Sequence, residues 1–212
     1  MFQLAYSNCW IKQRPLPEDL CMDDAQFERI WELKPTKRGE LWMGGKRIPT
    51  PRWTQSYGKD YVFSATRHVA LPIPPEFQDY LDWVQKQDDS KDYTYNQLLV
   101  NWYGENDHIG KHADSLKQLV PDAPIYSFSF HQGQERSFVI HPESKDATLA
   151  EYKLKGRNGP VKKYACLHLN MPHNSVLWMG GKIQSHYKHS VPPLKQTATR
   201  NRRINITVRA FL

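Results

Sequence analysis

The sequence predicts an α+β domain whose second half is almost wholly strand, and three observations predict it. From Tyr93 onward, runs rich in β-branched and aromatic residues (YNQLLVNWY, PIYSFSF, RSFVIH, VLWMG, RINITVRAFL) alternate with turns rich in Gly, Pro, Asn and Asp. Helical periodicity is confined to two short stretches before that point. The length, 212 residues, fits one domain with a sizeable core and leaves no room for a second catalytic domain. Several short strands after one or two helices suggest a barrel or sandwich.

The elements follow in order. Met1 to Arg38 is mixed, with one short helix over Asp23 to Leu33, where an N-cap-like aspartate precedes Phe27, Ile30 and Trp31 at helical spacing. Leu41 to Ser64 carries a Gly44-Gly45 turn signal, aromatic and β-branched residues and a second turn at Gly58-Lys59, and is expected to form hairpins. Pro74-Pro75 opens a helix whose Phe77, Tyr80, Leu81 and Val84 recur as one apolar stripe. A charged break, Asp88 to Asp92, separates it from the strands. Glu143 to Lys163 interrupts them with Lys153, Lys155, Arg157, Lys162 and Lys163 around Gly156, Gly159 and Pro160. This stretch is expected to be a mobile basic loop, either a solvated connection or a clamp on a nucleic-acid backbone. LWMGGK occurs at 41 to 46 and again at 177 to 182, but nothing around the copies is periodic, so no repeat is inferred.

Composition narrows the class. A formal net charge of +7, from 29 Lys plus Arg against 22 Asp plus Glu, suits a polyanionic partner without requiring one. Cys9, Cys21 and Cys166 form no CxxC pair and lie far apart, which argues against a zinc site or a disulfide framework and for ordinary thiols. The N-terminus lacks a signal-peptide pattern and no run approaches 18 apolar residues. A soluble intracellular protein, nuclear or cytoplasmic, is expected.

His112-Ala113-Asp114 is an HxD pair, and residues two apart on a strand point to one side, so an imidazole and a carboxylate can converge on one ion. Two histidines and one carboxylate on one face of a metal describe the non-haem Fe(II) oxygenases, whose open face takes a co-substrate and O₂. HxD alone is weak, because nine histidines make such pairs common by chance. The last strand adds weight. In RINITVR, alternation puts Arg203, Asn205, Thr207 and Arg209 on one face and three branched apolar residues on the other. Two guanidinium groups with an amide and a hydroxyl between them pack poorly and bind anions well. At roughly 3.3 Å per residue the arginines lie about 20 Å apart, as if for opposite ends of a dicarboxylate. The bland alternative is a half-exposed edge strand.

These motifs carry a resemblance. NWY, HAD eleven residues after the Asn, PIYSFSF, LWMGG, YKHSVPP and RRINITVR, in that order, resemble the AlkB-like 2-oxoglutarate and Fe(II)-dependent dioxygenases, nearest the branch that repairs alkylated bases, from about Arg52 to Leu212. The resemblance implies a double-stranded β-helix (jelly-roll) core over 93–212, with residues 1–92 as an N-terminal extension and nucleotide-recognition lid. It implies iron ligands His112, Asp114 and His189, with His186 as the rival for the third. It implies a 2-oxoglutarate site of Asn101, Tyr103, Arg203, Asn205, Thr207 and Arg209. The implied partner is DNA or RNA carrying methylated bases, with no membrane and a monomeric state. The implied reaction hydroxylates a methyl on a base nitrogen, giving an unstable hemiaminal that releases formaldehyde.

A base reaches a buried iron only by leaving its stack. The resemblance sets Phe63 against one side of that base and His112 on the other, with Tyr61 and Arg52 lining the lid. Two departures bear on substrate. Duplex-repair relatives carry an aromatic wedge at the hairpin tip, where this chain has Met43-Gly44-Gly45. Met43 could serve as the wedge, but a single-stranded substrate needs none. Relatives also place an acidic residue two positions beyond the metal aspartate, where this chain has Leu116. Base demethylation is therefore weighed against hydroxylation of a protein, nucleotide or small molecule on the same scaffold, and against binding without turnover.

Overall fold

The computed structural model describes residues 2–4, 8–63, 66–142, 166–194 and 201–212, so the expected basic loop lies outside the described residues. The strands are β1 (Phe2–Gln3), β2 (Cys9–Pro15), β3 (Glu40–Met43), β4 (Lys46–Pro49), β5 (Trp53–Tyr57), β6 (Tyr61–Phe63), β7 (Thr66–His68) and β8 (Ala70–Leu71). They continue with β9 (Gln97–Tyr103), β10 (Ile109–His112), β11 (Ile125–Gln132), β12 (Arg136–Pro142), β13 (Leu167–Met171), β14 (Ser175–Gly181), β15 (Tyr187–Val191) and β16 (Arg202–Arg209). The α-helices are α1 (Asp24–Glu32), α2 (Pro75–Gln85) and the single turn α3 (Ile183–His186).

Alternation on β16 organises the layers. Ile204, Ile206 and Val208 turn to one side, where Leu98, Val100, Trp102, Phe128 and Phe130 join Phe27, Ile30 and Trp31 of α1 and Phe77, Tyr80 and Val84 of α2 in one core. The helices thus cover one face of a major sheet ordered β1-β2-β14-β11-β16-β9-β5-β8. Its other face meets a minor sheet, β10-β15-β12-β13, and the two share a second core in which Leu99, Ile125, Leu177 and Met179 pack with Phe138, Ile140, Leu169, Met171 and Val191. Two facing, almost wholly antiparallel sheets form the expected jelly roll. β16 lies between β11 and β9 at the centre of the major sheet, so its polar face points into the sandwich and not to solvent. The edge-strand alternative does not hold.

Both helices begin as the sequence predicts. Asp23 accepts from Gln26 N at 2.7 Å while Gln26 accepts from Asp23 N at 3.0 Å, a reciprocal cap. Pro75 starts α2, where a missing N–H costs nothing. Trp102 Nε1 donates to the Ile30 carbonyl at 2.9 Å and ties α1 to the sheet.

The strands before residue 93 differ more from expectation. Gly44-Gly45 does turn a hairpin, β3–β4, with φ of 59° and 76°. Gly58 does not, because β5 pairs with β9 and β8 of the major sheet, and the second hairpin is β6–β7. At φ 81° Gly58 carries the chain past Asn96, whose carbonyl would lie 2.3 Å from a Cβ there. β2, hidden in the mixed N-terminal stretch, pairs with β14 over seven residues. The second LWMGGK ends β14, with Gly180 under the Trp10 ring, so one hexapeptide serves two unrelated structures. Among the described residues no helix is long and apolar enough to cross a membrane.

Candidate active site

β10 and β15 pair so that His112 and His189 stand directly opposite each other, with ring centroids 4.3 Å apart. Asp114 lies two residues past the end of β10, off the strand, and its backbone N–H is held by Gln184 Oε1 of α3 at 2.9 Å. One ligand-type atom from each of the three lies within 4.8 Å of the others. His112 Nδ1 sits 2.9 Å from the Gly110 carbonyl, which assigns the proton there and leaves Nε2 to face Asp114 Oδ1 at 4.0 Å. Asp114 Oδ2 accepts from Nε and Nη2 of Arg209 at 3.1 and 3.0 Å. Its Oδ1, buried, has no hydrogen-bond partner among the described residues. A buried carboxylate oxygen left open beside two imidazoles is what a cation would complete, so the residues fit a metal. His186 sits on α3, outside this group.

The protonation states agree with that fit. Burial alone would raise the Asp114 pKa, but Arg209, His189 and His112 outweigh it and bring it to about 2. Burial lowers His189 to about 3 and also lowers His112, despite the opposing pull of Asp114. At neutral pH the set is one carboxylate and two neutral imidazoles, the forms in which these groups bind metals.

The inward face of β16 continues the site. Across it stand Tyr103 opposite Arg203 and Asn101 opposite Asn205 on β9, with His131 and Ser129 opposite the same pair on β11. Most of these polar groups are already engaged. Asn205 Nδ2 donates to Ser127 Oγ at 2.9 Å and the Phe128 carbonyl at 2.8 Å, and Thr207 donates to Asn205 Oδ1 at 3.2 Å. Asn101 Oδ1 accepts from Arg52 Nε at 2.8 Å and Thr54 Oγ1 at 3.0 Å. The two arginines differ. Arg209 is spent on Asp114, whereas Arg203, 2% exposed, gives Nη2 to Ser129 Oγ at 3.0 Å and leaves Nε and Nη1 without a partner among the described residues. Burial lowers its pKa to about 10, so it stays charged at neutral pH. A buried cation lying 4.9 Å over the Tyr103 ring, with open donors, fits a carboxylate.

His112, Asp114, His189, the four inward residues of β16, Asn101, Tyr103, Arg52 and Tyr61 line one cleft. Tyr61 is buried there, 5.1 Å from the Arg209 guanidinium. The side chains of Met43 and Phe63 lie outside the described residues. Leu116 is 56% exposed and lines a different groove with Leu119 and Ile183. Sequence reasoning missed Ser129, which holds Arg203, and Gln184, which holds Asp114. The alternation of PIYSFSF could have shown that Ser127 and Ser129 share a face, while nothing local marks Gln184.

The chain belongs to the 2OG-Fe(II) oxygenase superfamily, whose family model matches residues 31–209. Fe(II) and 2-oxoglutarate are the cofactors of that family. The chain is similar to the human DNA oxidative demethylase ALKBH2, 31% identical over 176 residues that make up 79% of this chain and 59% of the human protein. It is 37% identical to the Arabidopsis thaliana DNA oxidative demethylase ALKBH2 over 126 residues, 56% of this chain and 38% of that protein. A rat alpha-ketoglutarate-dependent dioxygenase, alkB homolog 3, is 29% identical over 195 residues, 90% of this chain and 60% of the rat protein. The chain therefore spans less than two thirds of the length of these relatives.

Proposed function

We propose that the protein is an Fe(II)- and 2-oxoglutarate-dependent oxidative demethylase of alkylated bases in DNA or RNA, with lesions of the 1-methyladenine and 3-methylcytosine type, releasing formaldehyde, succinate and CO₂. The observation that carries this reading is the coincidence, in one cleft, of Asp114 Oδ1 between two histidines and of Nε and Nη1 of Arg203, all three without a partner among the described residues. The similarity to DNA oxidative demethylases supplies the substrate class. His112, Asp114 and His189 hold the metal. Arg203, beside Tyr103, receives the remote carboxylate of 2-oxoglutarate, and Arg209 fixes the rotamer of Asp114. Bound together, the two cofactors supply with O₂ the oxidant that hydroxylates a C–H bond. The chain orients that bond and excludes water. Arg52 and Tyr61 line the approach of a base that has left its stack, with Phe63 and Met43 as its further contacts. The hemiaminal then loses formaldehyde without further help.

Formaldehyde release from a panel of single-stranded and duplex oligonucleotides carrying each lesion tests this directly. Release is expected only with iron and 2-oxoglutarate present. Turnover of 2-oxoglutarate that no methylated DNA or RNA stimulates would sink the proposal. It would favour hydroxylation of a protein, nucleotide or small molecule, a reading that Leu116 motivates by standing where an acidic residue is expected and facing away from the cleft.

A further inference from the structure

Among the described residues, most of the buried side-chain nitrogens and oxygens that lack a partner gather at one place that the proposed chemistry uses only in part. They are both ring nitrogens of His131, Nε of Arg136, and Nε and Nη1 of Arg203. The three side chains are 6%, 2% and 2% exposed. His131 is the direct cross-strand partner of Arg203 in the β11–β16 pair, and side chains so placed start about 5 Å apart at Cβ. Arg136 comes from β12 in the facing sheet, and both guanidinium groups lie over the Tyr103 ring, at 5.9 and 4.9 Å. Arg136 Nη2 donates to the backbone carbonyls of Asp107 and Pro192. Among the described residues neither guanidinium has a carboxylate partner, because Asp107 is taken by Arg38 and Asp114 by Arg209.

The chemistry of these groups limits what His131 can do. A guanidinium only donates, and an imidazolium only donates, so a charged His131 would be a third buried cation with nothing to accept from its neighbours. A neutral imidazole offers one acceptor nitrogen. Burial first, then Arg203, His173 and Arg136, push His131 toward that neutral form, and the Met171 backbone opposes them only in part. We propose that His131 is a positioning residue of the anion site: when the 2-oxo acid binds, the acceptor nitrogen of His131, open among the described residues, takes one N–H of its cross-strand partner Arg203 and so turns the rest of the guanidinium toward the remote carboxylate. This rests on the reading that Arg203 receives that carboxylate. The effect of His131 must then depend on the ligand having a remote carboxylate at all.

Calorimetry on the zinc-loaded protein, which does not turn over, can isolate that dependence with two probes. N-oxalylglycine has the remote carboxylate, and 2-oxopentanoate lacks it. His131→Phe keeps a flat ring without nitrogens and is expected to weaken N-oxalylglycine about tenfold while leaving 2-oxopentanoate unchanged, the loss typical of one hydrogen bond on a charged group. His131→Gln, which restores an acceptor, should recover most of the loss. With iron, His131→Phe should raise the KM for 2-oxoglutarate more than it lowers kcat. Equal loss for both probes, or none, overturns the proposal. If His131→Phe does not fold, ¹⁵N-histidine spectra of the unaltered zinc protein give the same decision. The His131 ring nitrogens should shift with N-oxalylglycine and not with 2-oxopentanoate, and an unshifted ring rejects the role. Arg203→Gln separates the two levels of inference. If it fails to discriminate between the probes, the anion site itself is misassigned. If it discriminates and His131→Phe does not, only the role of His131 falls.

Discussion

The two oxygens of Asp114 have different duties, Oδ2 to Arg209 and Oδ1 to the cleft, and this division makes Arg209 a structural partner of the proposed metal site. Replacing Arg209 with Gln would leave a buried carboxylate uncompensated, a loss of about 3 to 5 kcal/mol in comparable pairs. Urea unfolding should show a loss of that order, and iron content should drop with it. Full stability in this variant would mean that water reaches Asp114. For the third metal ligand, iron bound by His189→Ala should be greatly reduced, whereas His186→Ala should bind as the unaltered protein does, since His186 lies outside the cluster. The reverse result would move the role to His186. Buried His131 adds a pH signature. An unfolded histidine titrates near 6.5, and folded His131 is held at about 2. Between those values the unfolded chain binds the extra proton, so stability is lost as pH falls from roughly 6.5 toward 2, by up to about 1.4 kcal/mol per pH unit. His131→Phe should flatten the stability curve by about that slope between roughly pH 6 and 4. An unchanged slope would show the folded ring already protonated. The sequence made the Arg face legible because alternation assigns faces, whereas the HxD pair converges for a reason alternation does not give, since Asp114 lies past the end of β10 and is held by Gln184. It could not say that one arginine is paired and the other open, because partners come from strands far away in the chain.

At the scale of elements, β16 shows why the second half of the chain was the more legible. Its two faces bury opposite chemistries, Ile204, Ile206 and Val208 against the helices and four polar residues against the site, so the period of two survives complete burial. β2 shows the opposite case. Cys9 and Ile11 are buried on it, but the two-residue pattern is too short to stand out, and the strand is defined by pairing with β14 some 160 residues later. β5 was misjudged because a glycine turn was taken to mean a hairpin. The glycine is needed there for passage beside Asn96, and Gly58→Ala should therefore destabilise in two ways, through its positive φ and through the Asn96 carbonyl. A loss above about 1 kcal/mol in thermal or urea unfolding is expected, since the left-handed conformation alone costs roughly that much for a residue with a Cβ. Gly45→Ala is the control, for it shares a positive φ but has open space around it. Equal losses at both positions would remove the close approach as a cause.

For the whole molecule, the net charge of +7 gains meaning only through where it meets a polyanion. Within the sandwich, Arg203 and Arg209 are buried and cannot touch a phosphate backbone, so they contribute to the count without contributing to such binding. Exposed Lys46 and Arg47 stand on β4, in a hairpin that among the described residues pairs only with itself, and Lys153, Lys155, Arg157, Lys162 and Lys163 put five cations within eleven residues of the sequence. A clamp and a solvated connection make different predictions for that run. Each cation that neutralises a phosphate releases counterions, so the slope of log K against log salt steepens by about 0.7 per contact on a single strand and about 0.9 on a duplex. Binding of unmethylated oligonucleotides should therefore be measured across a salt series for the unaltered protein and for the variant with all five residues changed to Ala. If the run grips the backbone, the slope should become shallower by roughly two to four units. An identical slope would reduce the run to a solvated connection, and Lys46→Ala with Arg47→Ala would be the corresponding measurement for the β3–β4 hairpin.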